Sequence, residues 1–136
     1  MTSSRVAHVR GSDRYDNVRQ ALARIADEID LVGKKRVLIK PNFVVTHKPL
    51  AATHVDAVRA VLDFVRERYD GSITIAEGPS VEPAAEGFRL QGYEPLVESH
   101  EVTLSDLNHD ETVPVNVYDW KLRPLRLHLA LSLIHI

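Results

Sequence analysis

Three consecutive apolar residues, Val37-Leu38-Ile39, stand between Lys34-Lys35-Arg36 and Lys40-Pro41-Asn42. A strand with one wet face alternates apolar and polar positions, whereas a strand covered on both faces is apolar throughout. The run therefore predicts a strand over Arg36–Ile39 in a parallel sheet. It stops abruptly on a cation, a ring and an amide, which puts a polar rim at its carboxyl end.

The remaining elements follow from periodicity. Arg5–Val9 alternates and predicts a first strand. Asp13 or Asp16 can cap a helix over Asn17–Leu31, in which Val18, Leu22, Ile25 and Ile29 form one stripe. Gly33 supplies its stop. Thr53 can cap a second helix through Tyr69, with Val55, Val58, Leu62 and Val65 on one face. Ser72–Ala76 and Val102–Leu104 read as strands. Pro83–Gly92 reads as a short helix, and Tyr93–His100 as another. Val113–Trp120 pairs with Leu125–Leu129 as a hairpin whose prolines favour edge positions. The order β-α-β-α-β-α-β predicts an α/β fold: a mainly parallel sheet with helices on both faces, Rossmann-like in its layers.

Ligands of such sheets lie beyond the carboxyl ends of the strands. Three polar exits fall there: Lys40-Pro41-Asn42, Glu77-Gly78-Pro79 and Asp106-Leu107-Asn108. Lysine binds phosphate or carboxylate as a point charge, and Asn42 offers both a donor and an acceptor. Thr53-His54 opens a helix whose first amides can face an anion. Glu77 and Asp106 are the candidate catalytic carboxylates, as a base or as ligands to an oxygen-seeking metal. Lys40, Asn42, Thr53 and His54 are the candidate ligand-binding residues. The residues name no metal, and His47…His54 fits no standard zinc spacing.

Several classes are excluded. The formal charge of −2 gives no field favouring nucleic acid or an anionic membrane. Aromatic residues make up 6%, too few for a base-stacking platform. There is no G-x-G-x-x-G after the first strand and no G-x-x-x-x-G-K-[ST], which argues against a standard dinucleotide or P-loop site. No serine sits in a G-x-S-x-G elbow, so no Ser-His-Asp set is expected. The absence of cysteine rules out a Cys-ligated iron–sulfur cluster within this chain. No secretory signal or membrane span is visible, and a cytoplasmic location is expected.

The end of the chain, Leu131-Ser-Leu-Ile-His-Ile136, closes no element. It is similar to the conceptual translation of a transposon-end sequencing adapter. Residues 1–130 are therefore expected to be the N-terminal part of a single, incomplete α/β domain, and 131–136 a non-native tail.

Taken together, Val37-Leu-Ile-Lys-Pro-Asn42, Thr53-His54, Ile73–Pro79 with its Glu-Gly-Pro exit, Gly92-Tyr93 and Ser105-Asp-Leu-Asn108 resemble the domain of unknown function 362 family over residues 5–130. The resemblance implies an α/β fold of about twice this length, with Lys40, Asn42, Thr53, Glu77 and Asp106 on the rim. Some relatives carry ferredoxin-like iron–sulfur modules, so it also implies an iron–sulfur protein as a partner. A downstream Pro-Lys-x-Lys-Thr-His-like stretch of the family is absent here. The function expected is small-anion binding within an enzyme, with a redox link by family analogy. A non-catalytic interaction domain and a truncated, non-functional fragment are the alternatives.

Overall fold

The structure is a computed structural model that describes residues 4–131. The adapter-like tail lies outside the described residues, apart from Leu131.

Helix α1 (Arg14–Arg24) is capped by Asp13, whose carboxylate accepts from the Asp16 amide at 2.8 Å. It is shorter than its apolar stripe predicts. The Ile25 amide reaches back only to the Leu22 carbonyl, the last turn tightens, and a 3-10 turn follows at Ala26–Glu28. Leu22, Ala26, Ile29 and Leu31 still pack on the core, because the tighter turn keeps them on one side.

The expected first strand over Arg5–Val9 does not form. That segment is bonded by its side chains and not through a ladder. Arg5 reaches Asp27 at 2.6 Å and Glu28 at 2.7 Å, and Arg24 donates to the His8 carbonyl.

Three strands, β1 (Arg36–Ile39), β2 (Ser72–Glu77) and β3 (Val102–Asp106), form a parallel sheet in the order β1-β2-β3. The register sets Val37, Ile73 and Val102 side by side, then Ile39, Ile75 and Leu104. All six belong to the hydrophobic core with Leu62, Phe64, Val65, Phe88, Tyr93 and Leu96. The opposite face carries Leu38, Thr74 and Ser105, which are half-buried, Thr103, which is exposed, and Ala76, which is buried. The clustered core lies on the other face, and the second helical layer expected from Val37-Leu38-Ile39 is not seen among the described residues. The strand order also runs without reversal, so these residues contain no topological switch point.

Helix α2 (Val55–Arg66) connects β1 to β2 and buries Val58, Ala60, Leu62, Phe64 and Val65. Between β2 and β3 come α3 (Ala84–Leu90) and α4 (Leu96–Ser99). Gly92, at φ +77°, reverses the chain after α3. The Gly92 amide donates to the Arg89 carbonyl and the Tyr93 amide to the Phe88 carbonyl, the paired bonds of a Schellman stop. This turn drops Tyr93 into the core, where its ring meets Phe43 edge-on at 5.3 Å.

The expected hairpin is present as β4 (Thr112–Tyr118) and β5 (Pro124–Ala130). Val113, Val115 and Val117 face Leu129, Leu127 and Leu125 as cross-strand pairs on one side. Asp119 holds the turn, accepting from the Lys121 and Arg123 amides and from the Arg123 guanidinium. No described helix is long and apolar enough to cross a membrane.

Candidate functional site

Because β1, β2 and β3 are parallel, Lys40, Glu77 and Asp106 leave the sheet on one edge. Glu77 and Asp106 are register partners on the core side of the sheet. Lys40 Nζ lies 2.6 Å from Glu77 Oε1 and 3.2 Å from the Pro41 carbonyl. The pair is asymmetric: the Glu77 side chain is 4% exposed, that of Lys40 41%. Glu77 Oε2 is buried and has no hydrogen-bond partner among the described residues. Burial, with the Glu77 carboxylate nearby, pushes the Tyr93 phenol well above its ordinary range. The phenol donates to the Thr53 carbonyl at 2.8 Å.

The other expected site residues act differently. Asp106 is occupied by backbone: Oδ2 accepts from the Ala84 amide at 3.1 Å and Oδ1 from the Asn108 amide at 2.9 Å. It starts α3 and caps the turn Leu107–His109, and His109 Nδ1 lies 3.3 Å away. Thr53 does not cap α2. Its Oγ1 accepts from the Asn42 amide at 2.9 Å, tying the strand exit to the helix entry. His54 is the cap, with Nδ1 accepting from the Asp56 amide at 3.2 Å. That amide is thus already bonded. Asn42 is exposed and bonds Thr53 through its backbone.

A groove of about 350 Å³ opens at this edge, between the strand exits and the hairpin. Lys40, Gly78, Asn108, Thr112, His128 and Leu129 line it. Lys40 joins the two environments, since it lines the groove and also bonds the buried Glu77. The Asn108 side-chain amide donates through Nδ2 to the Pro79 carbonyl at 2.7 Å and pins the floor. Among the described residues, no three His, Cys, Asp or Glu side chains gather as a metal set.

Glu82 and Ser99 were not singled out from sequence. Glu82 accepts from the Thr46 amide at 2.9 Å and the Thr46 hydroxyl at 2.7 Å, with His47 Nδ1 at 3.0 Å. Those bonds, the backbone amide first, hold its carboxyl below the usual range. They fasten the loop after β1 beside α3. Its signal was the Glu82-Pro83 pair just before a helix, but its partner is 36 positions away.

Ser99 Oγ lies 2.8 Å from His100 Nδ1, and His100 Nε2 lies 3.0 Å from Asp63 Oδ1. A Ser-His-Asp chain therefore exists where the absence of an elbow motif argued against one. The Ser99 hydroxyl has one proton, and the Pro95 carbonyl at 2.9 Å competes for it with His100 Nδ1. Arg66 clamps the same corner through the His100, Glu101 and Gly71 carbonyls.

A family model described as Domain of unknown function (DUF362) matches residues 37–132. No curated protein and no solved structure matches the chain. The match begins at the second residue of β1 and takes in all three strand exits, the groove and the hairpin.

Proposed function

The chain belongs to the domain of unknown function 362 family, and from that premise we propose that it binds a small anionic ligand at the carboxyl edge of its parallel sheet as part of an enzyme. One observation carries this reading: the Lys40 ammonium, anchored on buried Glu77, is still two-fifths exposed and lines an open groove. A lysine ammonium has three donors. Two are directed at Glu77 and Pro41, which leaves a third for a ligand oxygen. His128 and Asn108 on the groove wall can add contacts.

Glu77 is favoured over Asp106 as the reactive carboxylate, because backbone amides already occupy both Asp106 oxygens. The redox link, an iron–sulfur partner protein and a cytoplasmic setting belong to the same proposal and rest on family analogy. So does Rossmann-like layering, which requires further structure against the Leu38, Thr74 and Ala76 face.

Titration of the full chain with inorganic phosphate and acetate, followed by amide chemical shifts, tests the proposal. Perturbations should centre on Lys40, Gly78 and Asn108, and Lys40→Met should weaken binding about tenfold, the scale of one charge-assisted contact. Unchanged affinity in a folded Lys40→Met variant would overturn it.

The hairpin favours a second reading, a non-catalytic interaction domain. Leu125, Leu127 and Leu129 are 47%, 48% and 42% exposed along one face. Sedimentation decides: association that Leu127→Ser abolishes supports this reading, and a monomer at all concentrations removes self-association from it.

A further inference from the structure

We propose that the tip of the β4–β5 hairpin docks on an anionic lipid surface, inserting Trp120 and Leu122 among the headgroups. The strand-end groove plays no part in this docking. Seven paired residues at about 3.3 Å each set the turn roughly 20 Å from the end of the hairpin that borders the groove.

Exposure comes first. Trp120 is 85% exposed and Leu122 79%, with Tyr118 at 69% beside them. Single exposed apolar residues are ordinary, but a contiguous group marks a place where a protein meets another surface. Leu122 adds an observation of its own. It sits at φ +58°, a conformation that a leucine adopts only at a cost and that glycine or asparagine fits better. An apolar side chain is thus kept where the turn itself favours a polar one or none.

Charge selects the occupant. From Tyr118 to Ala130, three basic residues, Lys121, Arg123 and Arg126, stand against one acid, Asp119. Asp119 is engaged within the turn, paired with Arg123 at 2.7 Å and accepting from the Lys121 and Arg123 amides. Lys121 and Arg126 are the cations this leaves for headgroup phosphates. Lys121 Nζ lies 4.5 Å over the Trp120 ring, so a cation and an indole share one level. That pairing suits a membrane interface, where indole rings settle at headgroup depth and long basic side chains reach outward to the phosphates. A second copy would bring the same cations, and like charges disfavour it. The chain as a whole carries −2, so the attraction is local and acts over a short range in salt.

Trp120 is the chain's one tryptophan, so its emission reports the tip directly. The test titrates the full chain with vesicles of phosphatidylcholine alone and of equimolar phosphatidylcholine and phosphatidylserine, reading emission and co-sedimentation together. With the mixed vesicles the emission should move to shorter wavelength. Binding should be about thirtyfold tighter than to phosphatidylcholine, since each of two basic residues supports about fivefold. Lys121→Gln combined with Arg126→Gln should remove that preference, and Leu122→Asn should weaken binding to the mixed vesicles about tenfold. Equal binding to the two vesicle types, binding without an emission shift, or no binding at all would overturn the proposal. So would a preference undiminished in the double variant. An emission shift that grows with protein concentration in the absence of vesicles would assign the tip to a second copy and overturn it too. The comparison of the two vesicle types with the natural chain decides even if a variant fails to fold.

Discussion

The parallel sheet and the hairpin are built from the same kinds of side chain, yet they hold together by different means. In β2, Ile73 and Ile75 are 2% and 0% exposed, closed in by α2, α3 and the loop after β1. In β5, Leu125, Leu127 and Leu129 remain nearly half exposed, paired with the valines of β4. The ties differ in range as well. Glu82 to Thr46, Arg66 to His100 and Tyr93 to Thr53 each span more than thirty residues, whereas Asp119 holds the hairpin turn within four. The first region draws its shape from distant parts of the chain; the second draws it from a single turn. The groove lies where the two meet, with a fixed floor and a locally built wall.

The sharpest way to break this contrast is a matched pair of truncations. Ile75→Ala should cost about 2–5 kcal/mol, the range for deleting a buried aliphatic side chain. Leu127→Ala should cost within about 0.5 kcal/mol, as expected for a surface position. Urea denaturation of both variants measures the difference, and equal costs would mean that the hairpin face is covered in solution.

Gly87 probes the long-range packing next. A Cβ at this position would lie 2.7 Å from Phe43 Cδ2 and 3.0 Å from Thr46 Cγ2. Alanine is the better helix former, so an open site would be stabilised by the change. Here the crowding should prevail and Gly87→Ala should destabilise by about 1–3 kcal/mol. A rise in melting temperature would show that the loop after β1 yields freely.

The smallest effect concerns acid. Glu82 has its folded carboxyl held below the ordinary value of 4.5, first by the Thr46 amide. A depressed carboxyl contributes stability above its unfolded pKa and loses it as pH falls through the folded one. Below about pH 4.5, the protection factors of amides in the loop around Thr46 should therefore fall in the natural chain. Glu82→Gln should flatten that dependence, and a pH profile identical in the two proteins would remove Glu82 as the tie.

These contrasts also mark what could be read from residue order. The strands were visible as Arg36–Ile39, Ser72–Ala76 and Val102–Leu104 because their apolar residues declare themselves locally, and the structure extends the last two to Glu77 and Asp106. Their parallel pairing then put Lys40, Glu77 and Asp106 on one edge. What escaped was whatever depended on a partner far along the chain. Thr53 has the chemistry of a cap, but it serves Asn42, and His54 caps in its place. Asp106 has the chemistry of a base, but the start of α3 arrives beside it and takes an oxygen. Arg5–Val9 alternates like a strand, yet forms no ladder: Arg24 at the end of α1 holds the His8 carbonyl, and Asp27 and Glu28 in the 3-10 turn after it hold Arg5. The apolar run in β1 implied cover on two faces, but its length of four residues cannot distinguish a doubly covered strand from one packed on a single side.

The close approach at Gly87 has an evolutionary consequence. Positions 43, 46 and 87 share one small volume, so they are not free to vary separately. A descendant that gains a side chain at 87 must lose atoms from the ring at 43 or the methyl at 46. That is a correlated substitution between a helix and a loop about forty residues apart. The same loop follows directly from Lys40. Drift at an inconspicuous glycine would thus move the lysine that borders the groove.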